Sequence, residues 1–215
     1  MNPWRARLNR WRRHLVQRWL YRIVFGEHSQ GEWRPYTRIS PATCIEHEDM
    51  LALGDHVYIG PFNFIEASGG VVIEEGVQIT SHCSIVTHSS HRAMRLLGRD
   101  FVHWPSETPS WLSEGNQARP GWISGPVQIG AYSFIGPHSL IEAGTVLGRG
   151  TIVCAHSVVR GEFTDFAVLE GNPARLIGDS RRRDQPWLQA HPELRESYEA
   201  WAGTELPAEE APRRR

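Results

Sequence analysis

The sequence predicts a mainly β fold, a coil of short parallel strands stacked rung upon rung, and three observations predict it. From residue 129 an aliphatic side chain recurs every six positions, at Ile129, Ile135, Ile141, Leu147, Val153 and Val159. Two positions before each stands a small or β-branched residue: Val127, Ser133, Ser139, Thr145, Thr151 and Ser157. An earlier run keeps the same period at Leu53, Ile59 and Ile65, then, after two extra residues at Gly69-Gly70, at Ile73, Ile79 and Ile85. Neither the 3.6-residue helical period nor simple alternation produces such a series. A period of six means short strands joined by tight turns, with the aliphatic residue pointing inward each time. Three hexads then close a triangular rung of about 18 residues, and successive rungs pair as parallel strands.

The other segments follow in chain order. Residues 1–25 form a basic amphipathic helix, with Trp4, Leu8, Trp11, Leu15, Trp19 and Ile23 along one face and Arg around the rest. The coil occupies residues 36–178. Within it, residues 89–124 break the period with Pro105, Pro109, Pro120 and three Trp, and read as a long excursion loop. Residues 179–202 supply a helix that caps the open end of the coil, and the tail 203–215, ending in three Arg, reads as disordered.

Composition narrows the function classes. The chain's 215 residues carry 23 basic against 24 acidic side chains, and every basic one is Arg. Seven of these Arg lie in the first 25 residues, which hold no acid; the body is therefore mildly acidic and offers no electrostatic footprint for nucleic acid. Cys44, Cys83 and Cys154 are odd in number and lack CxxC spacing, which argues against a disulfide framework and for a reducing compartment. No apolar run is long enough to span a bilayer, and the N-terminus lacks the apolar core and cleavage site of a signal peptide. A cytoplasmic location is expected, with the basic helix as a means of peripheral contact at the inner face of the cell membrane.

Three blocks carry a family resemblance: Ile129-Gly-Ala-Tyr-Ser-Phe-Ile-Gly-Pro-His-Ser-Leu-Ile-Glu-Ala-Gly-Thr-Val-Leu-Gly, the turn Glu170-Gly-Asn-Pro-Ala-Arg-Leu-Ile, and Thr87-His88-Ser89-Ser90-His91 where the coil opens into the loop. Over roughly residues 50–178 the chain resembles the hexapeptide-repeat acyltransferases, in the sugar O-acetyltransferase branch related to galactoside and maltose acetyltransferases. The resemblance implies a left-handed parallel β-helix, a homotrimer, acetyl-CoA in the groove between neighbouring subunits, no metal, and a sugar or glycan acceptor. It also implies a His base where the coil breaks into the loop. His88 stands there, with His91 in reserve. A neutral imidazole suits this task because its pKa lies near operating pH.

Register adds a further expectation. If the loop replaces one hexad, Ile85 and Ile135 share a face, and His88, His138 and His156 form a ladder along one edge. His138 would then contact acetyl-CoA or the acceptor. A ladder of solvated turn residues is the plainer reading. Three histidines also raise a zinc site like that of γ-class carbonic anhydrases, although the five-residue His pair of those enzymes is missing. A non-catalytic β-helix scaffold is the remaining alternative. Relatives are thought to offer backbone amides to the acetyl carbonyl; Pro137 has none to give, which leaves Ala155, one rung on, as the oxyanion donor. Arg160-Gly161 replaces the Thr-Lys pair common near the coenzyme's nucleotide, and Arg160 and Arg175 can supply phosphate contacts or be ordinary solvated side chains. Phe134 stands where relatives often have a Trp against the pantetheine arm. Trp104, Trp111 and Trp122 either offer flat faces to sugar rings or pin the loop to the coil. The basic helix either meets anionic lipid or packs on the first rung.

Overall fold

The computed structural model describes residues 3–103 and 120–203. Its body is a left-handed parallel β-helix of triangular section. The first face holds the strands ending at Ile39, Ile59, Ile79, Ile135 and Val153 and continues into Ala167–Gly171; the second holds Cys44–Glu46, Phe64–Glu66, Ser84–Val86, Leu140–Ile141 and Val158–Val159; the third holds Leu51–Leu53, Val71–Ile73, Val127–Ile129, Val146–Leu147 and Glu162–Phe163. All pairings within the three faces of the coil are parallel.

The six-residue period does what the sequence predicts. Ile59, Ile65, Ile73, Ile79, Ile85, Ile129, Ile135, Ile141, Leu147, Val153 and Val159 all point into one dry column and are fully buried. Burying an aliphatic side chain of this size contributes about 1.5–3 kcal/mol, so the column dominates stability. The small residue two places earlier is buried too, because it fills the corner and its hydroxyl bonds the backbone of the turn. Thr151 Oγ1 donates to the Gly148 carbonyl at 2.7 Å, and Ser133 Oγ accepts from Thr151 N–H at 3.1 Å.

Each corner turns on one residue of positive φ, again six apart: Tyr132 (56°), His138 (59°), Gly144 (77°), Gly150 (65°) and His156 (60°). His tolerates this left-handed region better than most residues, and His47, His56 and His82 occupy it as well. Histidine at these corners is thus first of all a turn device, whereas His88, three places after Ile85, lies in a strand and not in this conformation.

Glycine after the aliphatic residue has a different cause, the close approach of successive rungs. A Cβ on Gly148 would collide with the backbone nitrogen of Asp165. Gly148→Ala is therefore expected to destabilise the coil by about 1–3 kcal/mol, whereas Gly178→Ala, with open space around it, should be near neutral. Thermal melts of both variants check this.

The register corrects one expectation. Ile85 pairs with Ile141 and Ile65, while Ile135 pairs with Ile79 and Val153. The loop therefore replaces no hexad; it is inserted at the corner between the second and third faces. Its ends pair as an antiparallel stem, His88–Ser89 with Ile123–Ser124, and beyond the stem helix α2 runs from His91 to Leu97. The two extra residues at Gly69-Gly70 fall at the same corner, one rung earlier.

Helix α1 spans Pro3–Leu20. At the far end, the strand Ala174–Asp179 folds back antiparallel on Ala167–Gly171 through the Asn172-Pro173 turn. Two helices follow, α3 (Ser180–Ala190) and α4 (Arg195–Ala202), separated at His191-Pro192. Trp201 of α4 stacks on Tyr132 with ring centroids 4.7 Å apart, which ties this element to the corner between the third and first faces.

Candidate active site

The corner that carries the insertions also carries an organised group of polar side chains. Glu66 ends a second-face strand and turns back under the corner, where it is buried. Its Oε2 accepts from Thr87 Oγ1 at 2.7 Å and from Thr87 N–H at 3.1 Å, and its Oε1 accepts from Ser68 N–H at 2.9 Å. Thr87 Oγ1 in turn accepts from Gly69 N–H at 2.8 Å, so the extra glycines close the pocket around the carboxylate.

His88, half-buried at the start of the loop stem, completes the arrangement. Its Nδ1 lies 2.8 Å from Glu66 Oε2 and 3.2 Å from Ser68 Oγ. Trp122, arriving on the returning strand of the stem, stacks on the imidazole with centroids 4.7 Å apart and planes 15° from parallel. The ring is thus fixed at one nitrogen and across one face. With Nδ1 donating to the carboxylate, Nε2 is left as the acceptor.

The electrostatics favour an ionised Glu66. Burial pushes its pKa up, but the hydrogen bonds from Ser68 and Thr87 outweigh it and hold the carboxyl at about 2, below its ordinary 4.5. Because the folded-state pKa is the lower one, ionisation favours folding. The contribution is complete above the ordinary carboxylate range and is lost as pH falls through it towards about 2. Burial raises the pKa of Glu27 and Asp184, which act in the opposite sense. The expected result is therefore a difference: between neutral pH and pH near the lower limit, the wild type should lose more stability than Glu66→Gln, as read from urea unfolding midpoints.

The remaining sequence-derived residues lie elsewhere. His138 and Ala155 sit at the corner between the first and second faces, and Phe134 lies on the first face. His138 does form a ladder with His156, at 4.9 Å and 3° between planes, but its other neighbour is His82, at 4.8 Å, and not His88. This follows directly from the corrected register. Face-to-face imidazoles aim their nitrogens side by side rather than at one point, which does not suit a tetrahedral zinc site. Among the described residues no three His, Cys, Asp or Glu side chains converge to hold a metal. His91 opens helix α2, exposed, with Nδ1 2.6 Å from Ser89 Oγ. Arg160 is at the loop's corner two rungs beyond Val86, and its Nε lies 2.7 Å from Glu142. Arg175 is exposed on the fold-back strand opposite Glu170. Trp104 and Trp111 lie outside the described residues.

Residues 126–161 match the bacterial transferase hexapeptide family (six repeats). A probable acetyltransferase of Mycobacterium tuberculosis (strain ATCC 25618 / H37Rv) is 28% identical over 145 residues, covering 67% of this chain and 41% of that one. An Escherichia coli (strain K12) protein named for O-acetyl transfer in lipopolysaccharide biosynthesis is 26% identical over 142 residues, covering 66% and 64%. The chain thus spans about two fifths of the first relative and just under two thirds of the second. In fold it is similar to a hexapeptide-repeat-containing acetyltransferase from Vibrio cholerae, with a TM-score of 0.55, 20% identity, and 79% and 80% of the two chains covered.

Sequence reasoning missed Glu66 and Ser68 in this site. A signal existed: at the corner that takes the insertions an acid follows the inward aliphatic residue in three rungs, at Glu46, Glu66 and Glu142, although Glu74 does the same at another corner.

Proposed function

We propose that this protein is a CoA-dependent acyltransferase that moves an acetyl group from acetyl-CoA to a hydroxyl of a sugar or glycan, with His88 as general base. The observation that carries this reading is the Glu66–His88 pair, a buried carboxylate holding an imidazole at Nδ1 so that Nε2 is the acceptor. In the proposed step the acceptor hydroxyl gives its proton to His88 Nε2 as its oxygen attacks the thioester carbonyl. The tetrahedral intermediate collapses, the C–S bond breaks, and the departing CoA thiolate takes the proton from the imidazolium. Glu66 stabilises the imidazolium formed in between. The printed names of the relatives, acetyltransferases among them, support this chemistry. The Vibrio cholerae protein has also been solved in complex with acetyl-CoA.

The placement of the other residues favours a homotrimer as the working form. His88 is at one corner of the triangular section, whereas Phe134, His138 and Ala155 lie on and beside another. A groove using both sets needs two subunits, one contributing each corner, with Ala155 N–H as the oxyanion donor that Pro137 cannot be. Arg160 and Arg175 are the phosphate ligands in this reading. Trp122 serves the acceptor side indirectly, by fixing the base.

The test is an acceptor screen with acetyl-CoA, read as free thiol released, alongside coenzyme titration and light scattering. Acceptor-dependent thiol release from a trimer is expected. Weak or absent coenzyme binding, with no transfer to any sugar, glycan or amine, would discard the reading in favour of a non-catalytic β-helix scaffold.

A further inference from the structure

We infer that helix α1 is a membrane-surface helix whose partner is an anionic lipid bilayer, lying in the interface with Trp4, Trp11 and Trp19 inserted among the lipids. Among the described residues its apolar stripe has no partner. No residue of α1 is buried, and Trp4, Trp11 and Trp19 are 55%, 60% and 80% exposed. At about 100° per residue these three, with Leu8 and Leu15, fall within one narrow sector of the helix.

The side of α1 that meets the coil is a different one. Asn9, Arg12, Arg13, Val16 and Gln17 face Pro61 and Phe62 across a cleft of about 560 Å³, with Arg12 at the edge between this side and the Trp stripe. Tyr21, just beyond the helix, contacts Phe62 with centroids 5.6 Å apart. The helix is therefore hung from the coil by its more polar side and presents its tryptophans outward.

Charge decides which surface fits. Helix α1 carries six Arg and no acid, and the first acid of the chain is Glu27. Arg7 and Arg18 border the Trp stripe on one side, and Arg5 and Arg12 border it on the other. Long cationic side chains beside an apolar stripe keep their heads in the phosphate layer while their stems lie against the acyl boundary, and Trp favours that depth. Each cation near a negatively charged leaflet adds attraction, so six together demand an anionic surface rather than a merely apolar one. No helix among the described residues is long and apolar enough to cross a membrane. Contact of this kind would lie in the plane of the surface.

Full-length protein is floated with vesicles of phosphatidylglycerol and phosphatidylcholine in equal parts, and with vesicles of phosphatidylcholine alone. We expect at least about tenfold stronger partition to the anionic vesicles, falling steeply with salt. Trp4→Ser/Trp11→Ser/Trp19→Ser and Arg5→Gln/Arg7→Gln/Arg12→Gln/Arg18→Gln should each reduce it about tenfold or more. The altered side chains of the Trp variant are all exposed, so its melting temperature should match wild type and separate loss of binding from loss of fold. Equal partition to both vesicles, or none to either, overturns the proposal. So does self-association of the wild type that the Trp variant abolishes without any flotation, which would give the stripe to a second copy of the chain.

Discussion

His88→Ala is expected to lower acetyl transfer roughly 10²–10⁴-fold while leaving the affinity for acetyl-CoA and the melting temperature unchanged. The separation follows from the position of the ring. It is half-buried at the corner, outside the aliphatic column, so its removal opens no cavity in the core. What disappears is Nε2 and with it the acceptor for the hydroxyl proton. Transfer rates and coenzyme titration on the same preparation check both halves. His91→Ala is the natural control, because its ring is exposed on helix α2 and bonded to Ser89. It should retain wild-type rates.

Glu66→Ala is expected to have the largest combined effect of any single substitution at the site. The carboxylate is the acceptor for Ser68 N–H, Thr87 N–H, Thr87 Oγ1 and His88 Nδ1. Removing it strands several of these donors in a buried corner. Each unsatisfied donor costs about 1–3 kcal/mol, part of which water entering the vacated space will offset; a net loss of about 2–4 kcal/mol is expected. Glu66→Gln keeps the shape and one acceptor oxygen but not the charge. It should lower kcat about tenfold to a hundredfold with little change in KM, since Glu66 acts on the base and not on the substrate. A rise in KM with kcat unchanged would instead mean that Glu66 merely shapes the acceptor site.

Much of the fold was legible because a β-helix writes its geometry into the sequence at a fixed interval. The inward column at Ile59 through Val159, the small corner residues and the glycines at rung contacts are all consequences of one repeat. The loop at residues 89–124 was legible as an interruption but not as a register. Counting hexads cannot tell whether an insertion replaces a strand or projects from a corner. Pairing of Ile85 with Ile141 settles that, and it takes His88 out of the histidine ladder. The Gly69-Gly70 insertion pointed to the right corner, since an interruption that adds only two residues cannot have displaced a strand.

The site was legible in part. His88 stood out through its place at the coil break, and the structure gives it a partner. Glu66 did not, because hexad position alone does not distinguish a solvated corner acid from a buried one. Glu46 and Glu142 occupy the equivalent place in other rungs, and Glu142 pairs with Arg160 there. Burial of Glu66 depends on Thr87 and Ser68 closing over it, which is a property of two chain segments from successive rungs together. His138 and His156 were conspicuous for another reason: their backbone sits in the left-handed turn that histidine tolerates.

Chemical rescue tests the central claim most directly. His88→Gly leaves an imidazole-sized slot between Trp122 and Glu66. Acetyl transfer by this variant should be nearly absent and should return, in a saturable manner, when free imidazole is added. Transfer at the wild-type rate without imidazole would contradict the account.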